Sequence, residues 1–466
     1  MNIMKRIKFL ILSGILAMSV SACKKAEPID LSSHLSENVS VAEASEDEPG
    51  TGQSSGTEES GEDDDGDHHL SVLSNLESTD DIIFIDNYEP YKKENDPYYQ
   101  LNAQRENKYG GGSGADCDYR PRDKKFRSRA EMPETVKALY LSGTIGGRNF
   151  EEYIDIGKNS GINAFVVNIT DNWEIGYESE VIKAFSPSAY VKANYTREEY
   201  GSRIQRLKDE GFYVIGRITT FHDDYLCKDH PEYAICDSKG NLKELSKGFW
   251  PSPYCREVWQ FKVDLAKEAV TWFDFDEIQF DYVRFPDRTQ SAEKEGDIDY
   301  RVDTKESKAQ CIQQFLMYAV DELHPLGVYV AADVFGEIAN SFVGGYGQYW
   351  PAISNVVDVI CAMPYTDHYD SNGDWNPWEH PYETVSSFAK NACIRQTECP
   401  TPAIVRTWIQ GYDSYKKPKV EFYAENVAKE IRALYDAGLT NGYMIWNGAN
   451  DLKHYRGQME AFALDP

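Results

Sequence analysis

Two carboxylates close apolar runs that otherwise read as buried β-strands. Asp281 ends EIQFD inside FDEIQFDYVRFP (275–286), and Asp333 ends GVYVAAD (327–333), with Glu337 four residues beyond it. A charged group at the tip of a buried strand costs free energy unless it is paired or used. Glycosidic bond hydrolysis needs such a pair: one carboxyl protonates the departing oxygen, and the other supports the oxocarbenium-like carbon as nucleophile or through a water. The acid must keep its proton near neutral pH while its partner stays ionised, so the two environments must differ. Arg284, three residues after Asp281, is placed in sequence to hold Asp281 as a carboxylate. Asp281 is therefore the candidate nucleophile or stabiliser. Asp333 is the first candidate for proton donor, by its position at the strand end. Glu337, with a longer reach from the following loop, is the second. The alternatives are a purely structural ion pair at Asp281 and a helix-capping role for Asp333.

These acids need a scaffold that brings strand ends together. Eight short apolar runs follow Pro133: 137–142, 163–169, 212–218, 277–283, 327–333, 356–363, 402–408 and 442–446. Stretches of helical periodicity lie between them, among them 196–211, 258–273, 308–323 and 424–438. Alternation of this kind implies right-handed βαβ units and a parallel sheet. Gly161, Gly211, Gly327 and Gly438 each stand shortly before a strand, where a helix ends in the left-handed conformation. Eight units predict an α/β fold, a (β/α)8 TIM barrel over 135–466, and no G-x-G-x-x-G turn favours an open dinucleotide-binding sheet. The mouth of such a barrel gathers the residues at and just beyond each strand end. It would collect Asn168 and Asp171 after the second run, Arg217 and His222 at the third, Tyr365, Asp367 and His368 at the sixth, Trp408 and Gln410 at the seventh, and Trp446 and Asn447 at the eighth. Polar groups interleaved with aromatic faces suit hydroxyl-bearing, flat-faced sugars. Trp173, Trp250, Trp350, Trp375 and Trp378 fall in loops after strands and are expected to be exposed. Adjacent strands lie about 4.8 Å apart, so acids on their tips approach the short separation of a retaining mechanism.

The 466 residues, 41% of them hydrophobic, suffice for one large core. A formal charge of -29 without basic clusters excludes nucleic acid as a partner. Residues 1–23 show a basic start, an apolar run from Phe9 to Val20 and small residues before Cys23, the pattern of a lipoprotein signal peptide. Lipid on Cys23 would then be the sole membrane attachment, facing outside the cytoplasm in a bacterial cell envelope. Residues 24–81 carry 17 acidic residues against two Lys and should form a disordered acidic tether, its EDDDGDHH run (62–69) simply solvated. Residues 82–134 read as a lead-in, with a short IIFI strand (82–85) and a flexible GGGSG (110–114). Export favours disulfides, and Cys393 with Cys399 and Cys227 with Cys236 are the favoured pairs. DSNGD (370–374) starts like a calcium loop but lacks the sixth-position Gly and the final acid. No metal and no cofactor is expected.

The runs FDEIQFDYVRFPD (275–287), VAADVFGE (330–337), CAMPYTDHY (361–369) and IVRTWIQGYD (404–413), with HPEYAICDSKG (230–240) before WPSPYCREVWQF (250–261), resemble a glycosyl hydrolase domain family of bacterial surface proteins. That family is distantly similar to α-amylase-type barrels, and the resemblance covers about residues 135–460. It implies a barrel with the nucleophile on the fourth strand, at Asp281, and the acid/base on the fifth, at Asp333 or Glu337. Amylases carry an Arg two residues before the nucleophile, where this chain has Gln279. The expectation is an envelope-anchored glycoside hydrolase acting on an extracellular or cell-wall polysaccharide. A non-catalytic carbohydrate-binding barrel is the alternative.

Overall fold

The computed structural model describes residues 116–340 and 342–466. The expectations for the signal segment, Cys23, the acidic tether, IIFI and GGGSG lie outside the described residues. Eight parallel strands form the predicted barrel: β1 Val136–Leu141, β2 Ala164–Thr170, β3 Tyr213–Thr219, β4 Glu277–Asp281, β5 Tyr329–Phe335, β6 Val359–Met363, β7 in two pieces, Ile404–Val405 and Thr407–Gln410, and β8 Gly442–Trp446. Each strand pairs with the next, and β8 returns to β1. The ring runs through β7, whose two pieces meet at Arg406. Helices α1 Phe150–Ser160, α2 Arg197–Asp209, α3 Arg256–Phe273, α4 Lys308–Leu323, α5 Pro381–Thr397, α6 Ala424–Asp436 and α7 Leu452–Phe462 alternate with the strands. Among the described residues no helix is long and apolar enough to cross a membrane.

Strand alternation sorts the side chains into two cores. On β4, Ile278 and Phe280 join the large apolar layer between barrel and helices, which also takes Phe261, Leu265 and Phe315. Gln279 points into the ring, where Val166, Ile215, Ala331, Val359 and Met444 form a smaller inner cluster. Capping boxes start α2, at Thr196 with Glu199, and α4, at Ser307 with Gln310, each satisfying amides that would otherwise lack partners. Gly161, Gly211, Gly327 and Gly438 all have positive φ. Gly442 opens β8 with φ 103°, and a Cβ there would lie 1.9 Å from the Val136 carbonyl oxygen. Only glycine therefore lets β8 lie against β1.

At the amino-terminal end of the barrel, Arg406 and Glu277 form a fully buried ion pair at 2.8 Å, and Tyr213 adds a hydrogen bond to Glu277. Burial raises the Glu277 pKa even so. The lead-in crosses this end: Phe126 stacks on His324 with centroids 4.0 Å apart, the Arg129 amide donates to Gly327 O, and Met132 lies against Arg406. Chemistry in this architecture belongs to the other end, where the strands terminate.

The expected disulfides do not form. All eight described cysteines are free. Cys393 faces the Ala437 carbonyl and Cys399 the Arg395 carbonyl, while Cys236 contacts Arg301 and the Ala234 carbonyl. Each of these thiols has turned to a neighbouring carbonyl rather than to its proposed partner.

Candidate active site

A cavity of about 170 Å³ opens at the carboxyl ends of the strands. Its charged floor comes from β2, β3 and β4. The register Thr219↔Asp281 and Asn168↔Arg217 puts Arg217 one step below Asp281 on the neighbouring strand, both facing inward. Arg217 donates from Nε to Asp281 Oδ2 at 3.1 Å and from Nη2 to the same oxygen. Its Nη1 bonds Asn168 Oδ1 at 2.7 Å and Asp171 Oδ2 at 3.2 Å. Arg217 also lies over the Tyr140 and Trp446 rings, 5.9 Å and 5.4 Å from their centroids, within the range of cation–π attraction. Burial opposes the guanidinium charge, but Asp281 and Asp171 outweigh it and lift the Arg217 pKa well above its ordinary value. The second Asp281 oxygen, Oδ1, accepts the Tyr282 amide at 2.6 Å. Tyr282 has φ 49° and turns the chain away from the strand at Asp281. This left-handed conformation costs a non-glycine residue free energy.

Asp333 stands on β5 at the same level. The register Phe280↔Ala332 makes it the neighbour of Asp281 across the sheet. It is 1% exposed; Oδ1 accepts the Trp408 indole N–H at 2.8 Å, and Oδ2 is buried without a partner. Burial, reinforced by the Asp281 charge, pushes its pKa well above the carboxylate range, against the pull of Arg217 and Trp408. The site therefore sets one acid bonded to a buried cation beside one whose burial disfavours its charged form, two acids in opposed environments.

Aromatic groups wall the cavity: Tyr282, Phe335, Tyr365, Trp408 and Trp446, with Met363 and His368. Burial raises the Tyr365 pKa well above its usual value and lowers that of His368. Arg284 also lines the cavity, its guanidinium 4.8 Å from the Trp250 centroid, 5.1 Å from Tyr282 and 4.8 Å from Phe335.

Residues 138–452 match the family described as "Putative glycosyl hydrolase domain". The chain belongs to this family. No curated protein matches it. Among solved structures it is similar to a hypothetical protein from Ruminiclostridium thermocellum ATCC 27405, with 33% identity over 42% of this chain and 97% of that one and a TM-score of 0.36. It is also similar to the PgaB (BpsB) glycoside hydrolase domain from Bordetella bronchiseptica, with 13% identity, coverage of 71% and 98% and a TM-score of 0.48. A third is the maltogenic α-amylase AmyB from Thermotoga neapolitana, at 11% identity, 72% and 70% coverage and a TM-score of 0.42.

The domain brings together Asp171, Arg217, Asp281, Arg284, Tyr365, His368, Trp408 and Trp446 in the cavity lining, and departs from expectation in identifiable ways. The guanidinium bonded to Asp281 is Arg217, not Arg284. The turn at Tyr282 ends strand periodicity, so Arg284 instead donates to Phe285 O and sits 3.6 Å from Asp287. Parity along β3, with Tyr213 and Ile215 facing inward, was the available signal for Arg217. Glu337 is exposed and bonded by the Tyr346 hydroxyl; neither it nor the buried Asp333 belongs to the cavity lining, where Trp408, the residue that bonds Asp333, stands instead. Asn168 supports Arg217 and Tyr140 from behind. His222 lies on Trp250 and faces Asn172, with burial lowering its pKa. Asp367 accepts from Tyr412 and the Tyr415 amide, Gln410 ties Thr366 to Tyr412, and Asn447 bonds the loop at Asp451. These four residues, His222, Asp367, Gln410 and Asn447, brace the loops rather than line the cavity. Of the five tryptophans expected on exposed loops, Trp250, Trp350 and Trp378 are buried, Trp350 as the first residue of a short helix, Trp350–Ser354, that connects β5 to β6, and Trp378 in the helical turn Pro377–Glu379; Trp173 and Trp375 are exposed.

Proposed function

We propose that this domain hydrolyses glycosidic bonds of an extracellular or cell-wall polysaccharide. Asp281 acts as nucleophile or charge stabiliser at the anomeric carbon, and Asp333 is the proton donor. The observation that carries the reading is the pairing of Asp281, bonded by Arg217, with Asp333 on the adjacent strand, a buried carboxyl whose pKa burial raises. Asp333 is preferred to Glu337 because it neighbours Asp281 and burial raises its pKa, whereas Glu337 is exposed and engaged by Tyr346. The neighbouring strand positions favour a retaining course, with the sugar carried on Asp281 between two displacements. Tyr365, Trp408, Trp446 and Arg284 give the sugar its faces and polar contacts.

A second reading, a sugar-binding barrel without turnover, is favoured by one observation: Trp408 and the surrounding side chains leave Asp333 only 1% exposed. Asp281→Asn separates the two. A glycosidase loses hydrolysis of its glycan by about a thousandfold or more while still binding it; equal turnover by both forms, or none by either, removes the enzymatic reading. The signal pattern before Cys23 supports a lipid anchor that holds the domain outside the cytoplasm in the cell envelope.

A further inference from the structure

Among the described residues, six large apolar side chains are exposed, and four of them, Trp173, Phe342, Trp375 and Tyr415, stand on loops that follow barrel strands. Aromatic exposure is thus concentrated at the mouth rather than scattered over the helices. One of the four overlooks a second cavity. A groove of about 300 Å³ lies between the turn after β5, the loop after β6 and the first turns of α5. Trp375 forms one wall, stacked on His380 at an interplanar angle of 4° and held by a tight turn in which the amides and carbonyls of Asn372 and Trp375 bond each other. The DSNGD stretch that resembles a calcium loop is therefore the turn that presents an aromatic plate, 41% exposed.

Amide groups share the lining with Trp375. Asn391 donates to Asn340 Oδ1 at 3.0 Å, which leaves the Asn391 carbonyl oxygen and the Asn340 amide nitrogen available to a ligand. Glu383 and Asp370 add carboxylates to the lining, and Lys416 pairs with Asp370. A rigid indole face and amide groups lining one groove suit a pyranose, whose C–H face packs on the ring while its hydroxyls bond the amides. The carboxylates disfavour an acidic sugar.

The groove adjoins the catalytic cavity. Phe335 lines the cavity and Gly336 the groove; His368 lines the cavity and Tyr369 the groove. The partition is tight, since a Cβ on Gly336 would lie 2.7 Å from Pro364 and from the Tyr369 hydroxyl. We propose that this groove is a second sugar subsite. It holds a neutral or amino-bearing pyranose unit of the same glycan whose scissile bond lies beside Asp281, with Trp375 as its platform. The inference rests on the glycosidase reading for the position of the scissile bond, and it makes the substrate an extended chain bound across the mouth.

The test uses titration calorimetry on the full chain carrying Asp281→Asn, with cello-, chito-, malto-, xylo- and mannohexaose and their dimers as probes. At least one hexamer should bind. Adding Trp375→Ala should weaken that hexamer about tenfold, the scale of one lost aromatic stacking contact, while Trp375→Phe retains most of the affinity and dimer binding changes less than twofold. The subsite is overturned if no hexamer binds, if Trp375→Ala binds the hexamer as its parent does, or if dimer and hexamer weaken alike. Failure of the hydrolytic reading shows separately, as absence of turnover by the unmutated protein with these hexamer effects intact.

Discussion

The raised pKa of Asp333 makes a prediction that reads out in stability as well as in rate. Asp333→Asn is close to isosteric with the protonated acid: Oδ1 still accepts from the Trp408 indole, and the amide nitrogen occupies the place of an oxygen that has no partner. Asp333 has its native pKa raised, by burial first and the Asp281 charge second. The native state therefore holds a proton that the unfolded chain, with an Asp pKa of about 3.9, releases. Such a group stabilises the fold fully below the unfolded pKa, and that contribution falls as pH rises towards the native pKa, at about 1.4 kcal/mol per pH unit. The Asn variant lacks this slope. Unfolding free energies from urea titrations at half-unit steps from pH 4 to 8 should show it gaining steadily on the parent as pH rises above the unfolded pKa. Asp264 and Glu268, both pushed by burial to about 7, slope the same way in both proteins and cancel in the difference. In activity, the variant should lose turnover of natural glycans but still release the phenol of activated aryl glycosides in a first-turnover burst, because those leaving groups need no protonation whereas hydrolysis of the sugar carried on Asp281 still needs Asp333 as base. Parallel stability curves, or a variant that falls behind as pH rises, would refute the claim that burial raises the Asp333 pKa.

The geometry and the signal pattern set two further outcomes. Arg217→Met leaves Asp281 and Asp171 without their buried counter-charge and should lower stability by about 3–5 kcal/mol; combining it with Asp281→Asn should recover about 2 kcal/mol in a double-mutant cycle, whereas Arg284→Met with the same Asn should be additive within about 0.5 kcal/mol. Cys23→Ser should move the protein from the membrane fraction to the soluble fraction and remove the lipid mass from its N-terminal peptide; continued membrane retention without any lipid mass would end the anchor proposal.

The barrel was legible because its determinants are local and periodic. The runs at 277–283 and 442–446 alternate or persist in apolar character over a strand length, and α4 was readable to its ends because a capping residue, Ser307, and an apolar period both mark it. The break in β7 was not readable. Arg406 there follows Ile404 and Val405 in an apolar run, and only the distant Glu277 explains why a charge sits inside the ring. Burial of Trp250, Trp350 and Trp378 was hidden for the same reason: Trp350 opens a helix of only five residues, too short to show a period, and the exposure of a residue between elements depends on where the connection folds.

The site shows where sequence distance misleads. Arg284 is three residues from Asp281, and that nearness suggested a pair, but nearness along a chain implies contact only while the backbone keeps one geometry. At Tyr282 the φ of 49° ends the strand, and the following residues leave the barrel axis, so Arg284 arrives at the wall of the cavity among Trp250, Tyr282 and Phe335. Arg217 is 64 residues away along the chain and one register step away in space. Its place at the end of the third run nominated it for the mouth; that Tyr213, Ile215 and Arg217 share an inward face is the further signal that pairs it, because a guanidinium inside the ring has to find carboxylates. The same reasoning explains the position that separates this chain from the amylase pattern. Gln279 occupies the place two residues before Asp281 and spends its amide on Met444, while the neighbouring strand supplies, at the level of Gln279, the cation that Asp281 needs. A charge required at one point of a closed barrel can be delivered from either adjacent strand, because register brings both within bonding distance. The loss of an arginine from one strand is therefore evidence against the chemistry only when the facing position next door is also empty, and here it is filled.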